Sequence, residues 1–168
     1  MNNSEVLDFL NLIKSLVESK AKYAGIQEID GESILFCSVD SPFEEEKDIV
    51  YHFSVNPIPG SGIICETAMF VFNDIDSKYF DDINRFVNRI NNYTTLGSFR
   101  LSEDVKSVMF VQDSVLDEAL DAAGAVEIIG ETLMIMENTV DNCSEFFMRL
   151  LNGESIESLL ESFEEVAS

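Results

Sequence analysis

Between Val126 and Leu150 an apolar residue recurs at every step of three or four: Val126, Ile129, Leu133, Met136, Val140, Cys143, Phe147 and Leu150. Glu127, Glu131, Glu137, Asp141 and Glu145 are interleaved with them. This spacing winds a single apolar stripe along one side of a long helix. Such a helix needs a second layer to cover the stripe, while water takes its acidic side. Gly124 and Gly130 each cost it roughly 1 kcal/mol against alanine. Its start therefore falls anywhere from Leu116 to Ala125, with Asp113 to Leu120 free to finish a preceding strand, and Asn152-Gly153 ends it.

The covering layer is expected to be a sheet. Ser33 to Val39, Ile49 to Val55 and Ile63 to Phe72 are rich in β-branched and aromatic residues. An acidic loop, Glu44-Glu45-Glu46 with Asp48, and the turn Pro57 to Gly62 separate them, so they read as an antiparallel meander. Thr95 to Leu101 and Val105 to Val111 bracket Ser102-Glu103-Asp104 as a hairpin. Helical spacing returns over residues 4 to 23, through Val6, Phe9, Leu10, Ile13, Leu16 and Val17, with Ser4 as N-cap and Gly25 just past the end. It returns again from Asp74 or Asp76, through Tyr79, Phe80, Ile83, Phe86, Val87 and Ile90, to Asn91-Asn92. Ile156, Leu159, Leu160 and Phe163 mark a last helix, too short to hold itself together undocked. The expectation is one α+β domain over residues 1–168, an antiparallel sheet packed by helices in the order α-β-β-β-α-β-β-α. Residues 154–168 form a short C-terminal helical extension, and no linker or repeat divides the chain.

Charge narrows the function. Asp and Glu number 32 against 10 Lys and Arg, a net charge of −22. Nucleic acid and anionic membranes need cationic patches that this composition cannot build. Hydrophobic residues at 46% nonetheless mark a folded chain rather than an acidic disordered one. Sixteen of the acids and two of the basic residues lie in residues 101–168, so the helical C-terminal part is the more acidic. Met1 to Ser4 carries no Lys or Arg, and Asp8, Asn11 and Lys14 interrupt the apolar stretch that follows, unlike an export signal. No apolar run approaches the ~18 residues of a membrane span. Cys37, Cys65 and Cys143 are odd in number and embedded in apolar runs, which reads as buried reduced thiols in a cytoplasmic protein.

Val87-Asn88-Arg89-Ile90-Asn91 closes the second helix and is followed by Leu96-Gly97-Ser98-Phe99-Arg100-Leu101 and, after a polar turn, by Val105 to Gln112. This stretch resembles the central signature of the YbjN family of bacterial sensory and chaperone-like domains, and the element order resembles the type III secretion chaperone-like fold. The resemblance covers about residues 79 to 150. It implies a small, acidic, cytoplasmic bacterial protein that is dimeric, binds other proteins and has no known catalytic centre. Within the motif, Arg85 and Arg89 are spaced to pair with Asp81, Asp82 or the acidic strands. Asn88 and Asn91 are placed to satisfy backbone groups where helix gives way to strand, and Gly97 suggests a bulge or close packing.

Catalytic patterns find little purchase. His52 is the only histidine, and Cys37 and Cys65 share a face with it only if the hairpin registers allow. Asp74 and Asp76 resemble the start of a calcium loop, but Tyr79 holds the place of its glycine and Arg85 that of its last glutamate. Gly60-Ser61-Gly62 is a hairpin turn with no adjacent lysine and so not a phosphate loop. The reading is a non-catalytic protein-binding, chaperone-like or regulatory domain with no cofactor and no metal. Its alternative is a small-molecule sensor or enzyme with a pocket between the sheet and the long helix. A homodimer follows from the third strand, apolar on both sides: Ile63, Cys65, Met69 and Val71 on one, Ile64, Ala68, Phe70 and Phe72 on the other. Candidate contacts with a second copy or a protein client are Met69 and Phe70 on that strand and Ile156, Leu159, Leu160 and Phe163 on the last helix.

Overall fold

The computed structural model describes residues 3–43, 47–60, 62–117 and 119–167. The acidic loop Glu44 to Glu46 and the turn residue Ser61 lie outside the described residues. The fold is α+β. Helix α1 (Asn3–Val17) leads into strands β1 (Tyr23–Ile29), β2 (Glu32–Asp40), β3 (Asp48–Ile58) and β4 (Gly62–Phe72). A single 3-10 turn (Ser77–Tyr79) and α2 (Phe80–Ile90) follow, then β5 (Ser98–Ser102), β6 (Ser107–Leu116), α3 (Ala122–Leu151) and α4 (Ile156–Ala167). All pairings are antiparallel, in the order β1-β2-β3-β4-β6-β5.

Four strands, not three, precede α2. The expected first helix stops at Val17, where the amides of Lys20 and Ala21 close on the Val17 carbonyl, and residues 23–29 pair with β2 instead. Asp30 (φ 53°) and Gly31 (φ 85°) join the two as an Asp-Gly hairpin turn, which needs positive φ at both residues. Strand β3 also runs further than expected, carrying Pro57 into register with Ile63. Proline is tolerated there because the strand is ending. In β4 the register shifts between Phe70 and Phe72, so Val71 (2% exposed) and Phe72 (1%) are both buried, and Phe72 leaves the face expected for it.

The helices pack on one face of the sheet. Leu35, Phe53, Met69 and Phe110 point into that side and meet Leu10 and Ile13 of α1 and Ile129, Met136 and Val140 of α3 in one core. Phe147 is its hub, with ring centroids 5.0 to 5.5 Å from Phe86, Phe99 and Phe72. Asp121 caps α3 through the Gly124 amide (2.9 Å), which settles where the long helix begins. Ser114 and Thr132 share a buried hydroxyl hydrogen bond (2.7 Å) that ties β6 to α3.

The junction motif acts as a structural clamp. The Asn91 side chain donates to the Phe99 carbonyl (2.9 Å) and accepts from the Phe99 amide (2.8 Å), fastening the end of α2 to β5. At Gly97 (φ 73°) a Cβ would lie 2.7 Å from the Phe110 ring and 2.8 Å from the Val111 carbonyl, so close packing accounts for the glycine.

Candidate functional site

Antiparallel registers settle which side chains share the face turned away from the helices. One row across it runs Tyr23, Ser38, Val50, Phe70, Met109, Arg100. The adjacent row runs Gly25, Phe36, His52, Ala68, Val111, Ser98. A third begins with Gln27 and Ile34 and brings Ser54, Glu66 and Asp113 side by side. The sheet side chains packed with the helices in the core all belong to the opposite face, so the described helices leave this one open.

Its centre is aromatic. The Phe36 and His52 rings meet edge to face at 4.2 Å, and His52 meets Phe70 at 4.4 Å. Burial between them pushes the imidazole below its ordinary pKa, because a charged ring there loses water without gaining a counter-charge. Tyr23, 52% exposed, lays its ring over Gly25: a Cβ at that glycine would stand 2.2 Å from the phenol oxygen. Ala68 (8%) and Val111 (4%) are shielded by these larger neighbours.

The face is thus a histidine-centred apolar band with Glu66 and Asp113 along one side and Asp40 and Asp48, both paired with Lys22, along the other. Glu66 and Asp113 stand directly opposite each other across β4 and β6. Like charges so placed repel, and they mark where the apolar band ends.

The same registers answer the thiol and histidine question. Cys37 pairs with Tyr51, and Cys65 with Val55, so both thiols point to the helix side while His52 points to the other. The three cannot converge on one ion. Burial pushes Cys37 up to about 11 and Cys65 up to about 12, so both thiols stay protonated, poor nucleophiles at neutral pH. Cys143 is half-buried and pushed up to about 11 by the same cause, and all three cysteines are free. Asp76 is engaged as the cap of the 3-10 turn, accepting from the Lys78 amide (3.0 Å).

The expected contact residues divide. Ile156 (3%), Leu159 (0%) and Phe163 (7%) lie in the protomer's own core, and Met69 (2%) faces the helices. None of these four is free to meet a partner, which corrects their assignment as contacts. Leu160 is half-buried, and Phe70 stands on the open face. Helix α4 is docked because Phe163 fills a ring of aromatics, edge-on to Phe86 (5.7 Å), Phe146 (5.3 Å) and Tyr93 (5.4 Å). Arg85 pairs with Glu157 (3.1 Å) and Arg89 with Glu164 (2.5 Å), so the motif arginines hold α4, Arg85 also keeping an expected partner in Asp82 (3.7 Å). Arg149 grips Glu154 with two hydrogen bonds of 2.7 Å.

A second concavity lies on the helix side. Where α1 ends, it parts from α3 and leaves a cleft of about 350 Å³ whose floor is Cys37, Tyr51 and Phe53. The Tyr51 hydroxyl donates to Glu137 Oε1 (3.3 Å), and its pKa is raised by burial and then by that carboxylate. The alternative sequence reading had a pocket between the sheet and the long helix, but not its lining residues, and the cluster of Phe36, His52 and Phe70 was missed, because both exist only once strand registers are set. No helix among the described residues is long and apolar enough to cross a membrane. No protein-family model matches the chain, and no curated protein matches it.

Proposed function

We propose that the chain is a non-catalytic protein-binding domain of the YbjN, secretion-chaperone-like kind, acting in a bacterial cytoplasm as a homodimer joined through the open face of its sheet. The acidic helical side is left to a protein client. The observation that carries the reading is the make-up of the two central rows: none of their positions is Asp or Glu, in a chain with 32 such residues. Two copies at −22 each can meet only where acids are missing. A basic client would have no use for a carboxylate-free band.

Size supports a second copy as well. Along each strand a large residue in one row adjoins a smaller one in the other: Phe70 and Ala68, Phe36 and Ser38, Met109 and Val111. A two-fold axis crossing the strands between the rows sets Phe70 of one copy over Ala68 of the other, and likewise for each pair. Large then meets small, as in packed sheets about 10 Å apart. Glu66 and Asp113 of the two copies fall at opposite ends of such a contact. Sedimentation velocity of the full chain tests the reading. A dimer that Ala68→Glu converts to a folded monomer is the expected result, and a wild-type monomer throughout the micromolar range, or a variant that still pairs, overturns it.

A further inference from the structure

The cleft between α1, the sheet and α3 is independent of the open face, and its construction has a chemical reading. Its floor and walls are apolar, with Phe53 below, Val17 on α1 and Leu133 on α3. Two opposite charges stand at its mouth, Lys20 just past α1 and Glu137 on α3. Glu137 is steadied by the Tyr51 hydroxyl rising from the floor. A volume of about 350 Å³ lies within the range of small-molecule sites.

Gly130 supplies the second observation. A glycine inside a helix is less favourable than alanine, and steric crowding is the usual reason to keep one. Here a Cβ would meet nothing within 4 Å. Packing does not call for the glycine, and the effect of its missing side chain is to hold the cleft open.

We infer that the cleft binds a small zwitterion with an apolar body, the chemistry of a free α-amino acid with a large apolar side chain. The side chain lies on Phe53 between Val17 and Leu133, the ammonium meets the Glu137 carboxylate, and the carboxylate meets Lys20. A ligand with one charge makes only one of these two ion pairs, which is the basis of selectivity.

The probe is L-phenylalanine, titrated calorimetrically into the full chain, with phenethylamine and 3-phenylpropanoate as the two single-charge controls. Gly130→Leu fills the cleft with a better helix former, so it keeps the fold while closing the site. The expected result is saturable binding of L-phenylalanine, about tenfold weaker for each control, and lost in Gly130→Leu while that variant melts no lower than the wild type. Should Gly130→Leu unfold, Glu137→Gln serves in its place and is expected to erase the preference for L-phenylalanine over 3-phenylpropanoate. Absence of binding at millimolar L-phenylalanine overturns the inference. So does equal binding of either control, or binding that survives a folded Gly130→Leu. The oligomeric state is not part of the readout, so failure here leaves the proposed dimer untouched.

Discussion

The two faces of the sheet are built from the same strands and nearly the same residue types, yet they behave differently. On one, Phe53 and Phe110 are each 0% exposed beneath α1 and α3. On the other, Phe36 and Phe70 each touch His52 and all three are only half-buried. An aromatic residue in a strand is therefore no measure of a core. What decides is whether a second layer lies above it, and here all the covering helices lie on one side. A similar contrast separates the two apolar surfaces expected to meet partners: the stripe of α4 is consumed within its own protomer, whereas Phe70 is not.

Those contrasts can be broken by mutation. The largest effect belongs to α4: replacing Leu159 and Phe163 together by alanine is expected to cost about 4 to 6 kcal/mol, since each leaves a cavity under a docked helix. Chemical unfolding measures it, and an unshifted midpoint would show that α4 is not docked as described. Next come the two faces compared directly. Phe53→Ala should lower stability by about 3 to 5 kcal/mol. Phe70→Ala should cost the monomer less than about 1.5 kcal/mol, because its side chain is only partly removed from water. In sedimentation the ranking reverses: Phe70→Ala should abolish self-association, and Phe53→Ala should not, where it stays folded.

A gain is expected from within the core. The Gln112 side-chain oxygen is buried without a hydrogen-bond partner among the described residues. Gln112→Met keeps the shape and removes the desolvated oxygen, so thermal unfolding should show a gain of about 1 kcal/mol.

His52 sharpens the comparison through pH. Its folded pKa lies below the ordinary 6.5, so the unfolded chain binds the proton more readily. The histidine's contribution to stability is present above that value and is lost as pH falls through the folded pKa. Phe36 and Phe70 flank the ring, Glu66 lies one row away on β4 and Arg100 stands at the rim on β5. Melting temperature measured from pH 7.5 down to 5 should fall less steeply in His52→Gln than in the wild type, the range being set by the ordinary histidine value. Smallest of all is Arg85→Ala. Its pairs with Asp82 and Glu157 are exposed, and water screens such pairs. Its melting temperature should match the wild type, in contrast to the alanine substitutions beneath the same helix.

Much of the architecture was legible from periodicity. The stripe from Val126 to Leu150, the helix at Phe80 to Ile90 and the strands around Phe53 and Met69 all follow from spacing alone, because a helix or strand with one apolar side has few ways to hide it. Even the duty of Asn91 was readable, as an amide at a junction where backbone groups lack partners. Strand β1 was hidden because Tyr23 to Ile29 has a glycine at its third position and a largely exposed pattern, which the preceding helix could absorb on paper.

Other features lay beyond any reading of spacing. A one-residue slip in register inverts every side chain, so local pattern alone could not say whether His52 joins Cys37 or opposes it. The bulge that turns Phe72 inward is a property of two strands together. Whether α4 closes on its own protomer depended on Phe86 and Tyr93, from α2 and the turn that ends it, arriving at one place with Phe146 of α3. The sequence by itself determined most of the elements and their apolar sides, β1 and the bulged end of β4 excepted, since those follow from local stereochemistry. Only the tertiary structure decided which apolar side is covered and which remains open, since burial depends on the relative placement of segments far apart in the chain.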